Sequence, residues 1–191
     1  FRFHKLYFRH ININMEIKKT DFKDLLEIKF KKHKDSRGSL IKIFNKSNST
    51  KFKNQCYESY LSISKKGSIR GLHGQSGKYT QDKLVYCIRG ELLEIALDIR
   101  KSSKTYGKIY KKKINSKNAI SVFVPKGFLH GIVALEDQTT LVTYCSKPYN
   151  PTKEYGIRID SININLPKIK LYSSKKDKKL PTLNEFLKKI K

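Results

Sequence analysis

The sequence predicts an all-β domain, an antiparallel sandwich or barrel, and three observations carry that expectation. Short apolar segments recur about every ten residues with turn residues between them. Helical periodicity is nearly absent after Lys29. No glycine-rich phosphate loop follows a strand and no βαβ rhythm is present, which argues against a dinucleotide-binding domain. No internal repeat is visible.

Each element has a local reason. Residues 1–14 (FRFHKLYFRHININ) precede the only methionine, Met15, and read as an upstream or non-native extension without the apolar stretch of a signal peptide. Residues 15–191 read as one domain. Arg37-Gly38 and Ser47-Asn48 are turn signals around LIKIF (40–44), a strand. YLSIS (60–64) alternates apolar and polar residues. KLVYCI (83–88) meets ELLEIALDI (91–99) across Arg89-Gly90, which reads as a hairpin. KIYKKKI (108–114), AISVFV (119–124), GIVAL (131–135) and TLVTYC (140–145) complete the strands. Near the C-terminus, Thr182 and Glu185 form a Thr-x-x-Glu capping box for a short helix packing through Leu183, Phe186 and Leu187.

Composition excludes several classes. With 191 residues, the chain can bury a real core without covalent staples. Hydrophobic residues at 38% and aromatics at 11% argue against disorder. No apolar run reaches the roughly eighteen residues of a membrane span. Cys56, Cys87 and Cys145 are odd in number and widely spaced, which excludes a disulfide scaffold and suits a reducing compartment. The net charge of +26 invites a nucleic-acid interpretation. Against it, only 7 of the 42 basic residues are arginines, and the lysines are scattered through every segment. Bidentate recognition of bases and phosphates leans on arginine. Abundant lysine and isoleucine without tryptophan is the composition of AT-rich coding sequence, so the charge reads as solvated surface and no nucleic-acid partner is expected.

Two stretches carry chemistry. Residues 68–75 (SIRGLHGQ) place Arg70, His73 and Gln75 together. In a regular strand Arg70 would face one side while His73 and Gln75 face the other, which makes His73 a candidate base on an inward face. Residues 125–131 (PKGFLHG) form a turn delivering His130 at a strand start. A metal is the competing use of two histidines. Metal-binding barrels supply a His-x-His pair, a nearby carboxylate and a later His, whereas Gln75 stands two residues after His73 and Ser76, Gly77 and Lys78 follow. No metal is expected.

Together these motifs resemble the dTDP-4-dehydrorhamnose 3,5-epimerase family, which comprises metal-free cupins acting on nucleotide-linked 4-keto sugars. The resemblance runs through DSRG (35–38), RGLHGQ (70–75), QDKLVYCIRGELLEIALDIRKSSKTYG (81–107), PKGFLHGI (125–132), YNPTKEYGIRID (149–160) and SKKD (174–177). It implies a cupin-type antiparallel β-sandwich or jelly-roll barrel with short flanking helices, no cofactor, and a homodimer in which a strand near the N-terminus crosses to the partner. It implies His73 as general base and Asp177 as its orienting carboxylate. Lys83 and His130 fall around the C4 ketone. Arg37, Arg70 and Glu154 fall at nucleotide-binding positions, with Gln75, Glu58 and Lys176 as further substrate contacts, and Asp98 supports the pocket from behind.

The chemistry suits these types. A C4 ketone acidifies the hydrogens at C3 and C5, a base removes one, and a cation near the ketone oxygen stabilises the enolate. Inversion then needs an acid on the opposite face. There the chain departs, because Thr143 stands where the family has its tyrosine donor. Tyr144 faces the other side of that strand, and Tyr149 is a possible substitute donor. Lys42, Glu58, Tyr60, Gly74 and Ile159 also depart from the family pattern. The nucleotide is therefore left open between dTDP, foremost, and GDP or CDP.

The expected function is epimerisation of a nucleotide-linked 4-keto-6-deoxy sugar for surface polysaccharide, such as lipopolysaccharide, in the cytoplasm. Inversion of a single centre, C3 or C5, is the expectation that Thr143 suggests. A 3,4-ketoisomerase is the enzymic alternative, distinguished by a moved carbonyl. A non-catalytic sugar-nucleotide binder is the other, distinguished by binding without solvent exchange.

Overall fold

The computed structural model describes residues 15–43 and 56–189; the proposed extension 1–14 and the Ser47-Asn48 turn lie outside them. The strands in chain order are β1 (Met15–Lys19), β2 (Leu26–Phe30), β3 (Lys32–Asp35), β4 (Gly38–Ile41), β5 (Glu58–Ser64), β6 (Ile69–Gln75), β7 (Lys83–Arg89) and β8 (Glu91–Asp98). They continue as β9 (Ile109–Asn115), β10 (Ile120–Val124), β11 (Phe128–Ala134), β12 (Thr139–Cys145) and β13 (Glu154–Gly156). One α-helix, α1 (Leu183–Lys189), follows.

The strands form two antiparallel sheets. The larger has six strands in the order β1-β2-β10-β7-β12-β5, and the smaller has five in the order β13-β6-β11-β8-β9. A separate exposed hairpin pairs β3 with β4 across the Arg37-Gly38 turn. The LIKIF strand is accordingly shorter than expected, ending at Ile41, and Phe44 lies outside the described residues.

Alternation along each strand sets the layers. Val85 and Cys87 of β7 and Val122 and Val124 of β10 meet Leu92 and Ala96 of β8 and Phe128 and Ile132 of β11 between the sheets. The smaller sheet is covered on its outer face too. Leu93, Ile95 and Leu97 pack there with Leu129 and Val133 under Ile157, Ile159 and Phe186. A strand buried on both faces explains the almost unbroken apolar run of β8. The helix contributes to that outer layer through Phe186, Leu183 and Leu187. Its capping box forms as the sequence implies, with Thr182 N–H donating to Glu185 Oε2 at 2.7 Å and Glu185 N–H to Thr182 Oγ1 at 3.2 Å.

Two local expectations are corrected. Arg89-Gly90 is not a hairpin, because β7 pairs with β10 and β12 whereas β8 pairs with β11 and β9. Gly90, at φ +75, carries the chain from one sheet to the other, and a Cβ there would come 2.8 Å from Thr139 Oγ1. Arg70 and His73 do not face opposite sides. Opposite β11, His130 pairs with His73 but Ile132 pairs with Arg70, so one strand carries an extra residue. That bulge shifts the parity of β6 and brings both side chains to the same cavity.

Candidate active site

At one end of the sandwich the apolar interior gives way to a cavity of about 470 Å³ open to solvent. The smaller sheet supplies Arg70, His73 and His130 to its wall. The larger sheet supplies Tyr60, Lys83 and Thr143 from the facing side. Lys176 and Asp177, from the segment following β13, close the His73 side.

His73 Nε2 lies 2.7 Å from Asp177 Oδ1, a contact across 104 residues of sequence. Asp177 is itself fixed at the start of a single 3₁₀ turn, its N–H donating to Ser174 Oγ at 3.0 Å. A carboxylate accepting from Nε2 leaves the Nδ1 lone pair free to take a proton. Burial holds the His73 pKa below the ordinary histidine value, helped by Lys83 and Lys176 and opposed by Asp177. The imidazole is therefore neutral, as a base must be, at neutral pH.

Lys83 opens β7 and points into the interior. Burial pulls its ammonium below the ordinary lysine value, against the field of Cys145, Glu94 and Glu58. His130 stands in β11 opposite His73, and its Nε2 lies 2.6 Å from Glu94 Oε1. The contact is close but off line for a hydrogen bond. Neither Glu94 oxygen, nor His130 Nε2, nor Thr143 Oγ1 has a hydrogen-bond partner among the described residues. Glu94 is fully buried beneath Lys83, Tyr60 and His130. Glu94 is absent from the residues expected above, and its one sequence signal is a lone carboxylate inside the apolar run of β8.

Other expected site residues are placed differently. Gln75 is buried and committed: Oε1 accepts from Asn150 N–H at 2.7 Å, and Nε2 donates to Pro148 O at 3.5 Å. Glu58 Oε2 accepts from Tyr149 N–H at 3.0 Å. Both expected substrate contacts thus hold the 148–150 loop, because their polar atoms meet backbone groups that need partners. Tyr149 hangs from that loop outside the cavity lining, its hydroxyl donating to Glu154 Oε2 at 3.2 Å. Glu154 is also ion-paired with Lys176, and its Oε1 lies 3.6 Å from His73 Nδ1. Arg37 sits on the exposed hairpin turn, paired with Asp35 at 2.7 Å and away from the cavity. Asp98 does not back the cavity; Arg100, Ser103 and Thr105 bind it at the far end of β8. Arg70 donates to Ser64 Oγ at 3.0 Å and to Ile63 O at 3.1 Å. Tyr144 packs on the outer face with Leu26, Leu84 and Phe123. At Gly74, one of the departures from the family pattern, the Tyr155 ring takes the space: a Cβ would come 3.2 Å from it.

A histidine–carboxylate pair on one wall facing a half-buried lysine on the other equips this β-sandwich for proton transfer next to an oxyanion, the class of an acid–base isomerase. The comparisons name that class more closely. The dTDP-4-dehydrorhamnose 3,5-epimerase family model matches residues 19–185, and the chain belongs to that family of isomerases. It is 36% identical to the dTDP-4-dehydrorhamnose 3,5-epimerase of Shigella flexneri, covering 80% of this chain and 86% of the relative. It is 32% identical to that of Escherichia coli K12, over 91% and 97%. The solved structure of the dTDP-6-deoxy-D-glucose-3,5-epimerase of Legionella pneumophila, in complex with dTDP-4-keto-L-rhamnose, superposes with a TM-score of 0.82 at 30% identity, covering 89% and 93%.

Proposed function

We propose that this chain epimerises a dTDP-linked 4-keto-6-deoxy sugar by proton abstraction next to the C4 ketone. The observation that carries it is the His73–Asp177 contact at 2.7 Å, facing Lys83 across the cavity. His73 Nδ1 takes the proton from C3 or C5, and the electron pair moves to the C4 oxygen as an enolate. Lys83, with His130, stabilises that oxygen in a partly desolvated site, where one donor contributes about 3 kcal/mol. Reprotonation from the other face of the ring reforms the ketone and completes the inversion. Arg70 and Lys176 offer cations to the diphosphate at the rim. The named ligand of the Legionella structure favours dTDP over GDP and CDP for the nucleotide.

We also read the protein as a cytoplasmic homodimer working in surface polysaccharide synthesis. Arg37 lies on the exposed hairpin turn and does not line this chain's own cavity, so a nucleotide-binding role for it favours a site shared with a second copy. Three free cysteines favour a reducing compartment. No helix among the described residues is long and apolar enough to cross a membrane.

The test is incubation with dTDP-4-keto-6-deoxy-D-glucose in D2O, following the C3 and C5 protons by NMR, with a GDP-linked 4-keto sugar in parallel. Deuterium uptake that His73→Ala abolishes is the expected result. Binding without exchange for either nucleotide would remove the enzymic assignment, and a moved carbonyl would point to the ketoisomerase. Light scattering across a concentration series tests the dimer, and a monomer at micromolar protein would exclude it.

A further inference from the structure

Inversion requires a proton to arrive on the ring face opposite the one from which His73 removes it. The cavity has two walls, and His73 belongs to the smaller sheet. The opposite donor must therefore come from the larger sheet, which offers Lys83, Thr143 and Tyr60. Lys83 is placed for the ketone oxygen. The aliphatic hydroxyl of Thr143 is a weaker acid than a phenol and so the poorer general acid for an enolate carbon. Tyr60 is the one phenol lining this cavity among the described residues.

We infer that Tyr60 is the proton donor of this enzyme, its phenol brought to the reaction from the strand beside Thr143; the inference rests on the epimerase function proposed above. Three observations support it. Tyr60 of β5 stands directly opposite Thr143 of β12 in the antiparallel ladder, so a side chain from either position reaches the same space. The face of β5 that carries Tyr60 is independently marked by Ser64, whose hydroxyl accepts from the cavity residue Arg70. Tyr60 as a whole is 41% exposed, and it lines the cavity together with Thr143, Lys83 and His73. Burial, with Cys145, Glu58 and Glu94, pushes that phenol up to about 12, so it holds its proton at neutral pH.

Tyr149 fails the same geometric requirement. Its hydroxyl is bound to Glu154, which contacts His73 Nδ1, so it lies on the base's own side. A proton delivered from there returns to the face it left. In the balanced step, the Tyr60 O–H bond breaks as a C–H bond forms at C3 or C5, and the enolate pair returns to the ring as C4=O is restored. The tyrosinate and the His73 imidazolium then exchange one proton with solvent, and no co-reactant is consumed. A donor restored in this way removes the ground for expecting inversion at a single centre.

The experiment separates abstraction from inversion. Wild type, Tyr60→Phe and Tyr149→Phe are each given dTDP-4-keto-6-deoxy-D-glucose in D2O. Deuterium in recovered substrate and in epimerised product is quantified by NMR. In Tyr60→Phe, His73 still removes a proton and returns a deuteron to the same face. Label in recovered substrate should stay within about fivefold of wild type while inverted product falls about 100-fold or more. Product within about threefold of wild type would overturn the inference. So would parallel loss of exchange and product, which marks a structural role, or separation of the two by Tyr149→Phe instead. Absence of exchange in wild type would instead overturn the epimerase function itself, and Tyr60's role with it.

Discussion

Glu94 and Asp98 stand four residues apart on the same face of β8, both fully buried, and they are opposites in how that burial is met. Asp98 accepts from the Arg100 backbone at 3.0 Å, from the guanidinium at 2.8 and 2.7 Å, and from Ser103 and Thr105 at 2.6 Å each. Its pKa falls to about 2, because these donors outweigh a burial that pushes the other way. Glu94 has no hydrogen bond from the described residues, only the off-line His130 contact and the fields of Lys83 and Tyr60. A satisfied buried carboxylate closes a loop. An unsatisfied one beneath a cavity leaves its acceptor oxygens available to the groups above it.

The comparison can be broken in order of expected effect. Replacing the base, His73→Asn, should lower the deuterium exchange rate by about a thousandfold with the fold intact by circular dichroism. Asp98→Asn should cost about 3 kcal/mol in urea denaturation, since it breaks a buried charged network, with activity per folded molecule unchanged. If it lowered activity instead, the division of labour along β8 would be wrong. Glu94→Gln should do the reverse, reducing kcat about tenfold while shifting stability by less than about 1 kcal/mol.

The smallest effects are in pH. The Asp98 carboxyl is depressed, so its stabilisation is full above the ordinary aspartate value. It should fade as pH falls from about 4 toward 2, and melting curves of Asp98→Asn should lack that fade. His73 acts as the free base with its pKa held below about 6.5, so kcat/KM should hold at neutrality and fall only as pH drops through that lowered value. Asp177 opposes the lowering, so Asp177→Asn should move this limb further to acid as well as slowing turnover. A limb that moved up would show that Asp177 does not stabilise the imidazolium.

What was legible in the sequence is what depends on local pattern. Alternation located the strands, the Thr-x-x-Glu box located the helix, and the histidine-bearing motifs supplied one wall of the cavity. What was hidden depends on pairing between distant segments. The bulge that turns Arg70 toward His73 exists only against β11. Gln75 and Glu58 become loop fasteners because the backbone of residues 148–150 comes to rest on them. Asp177 was reached through resemblance, since no local rule joins it to a histidine 104 residues earlier. Tyr60 looked like a departure at a binding position until the ladder set it beside Thr143.

The strand order also bears on how the chain comes to fold. Apart from β1 with β2, no two consecutive strands are neighbours in the larger sheet, so its ladders close only across long loops of chain. Such a topology folds on the slow side, in milliseconds to seconds, with unpaired edges exposed meanwhile. Both sheets are complete by Gly156, and Asp177 comes after them. During synthesis the sandwich can close around His73 before its carboxylate has left the ribosome, so proton-transfer competence comes only after both sheets are in place.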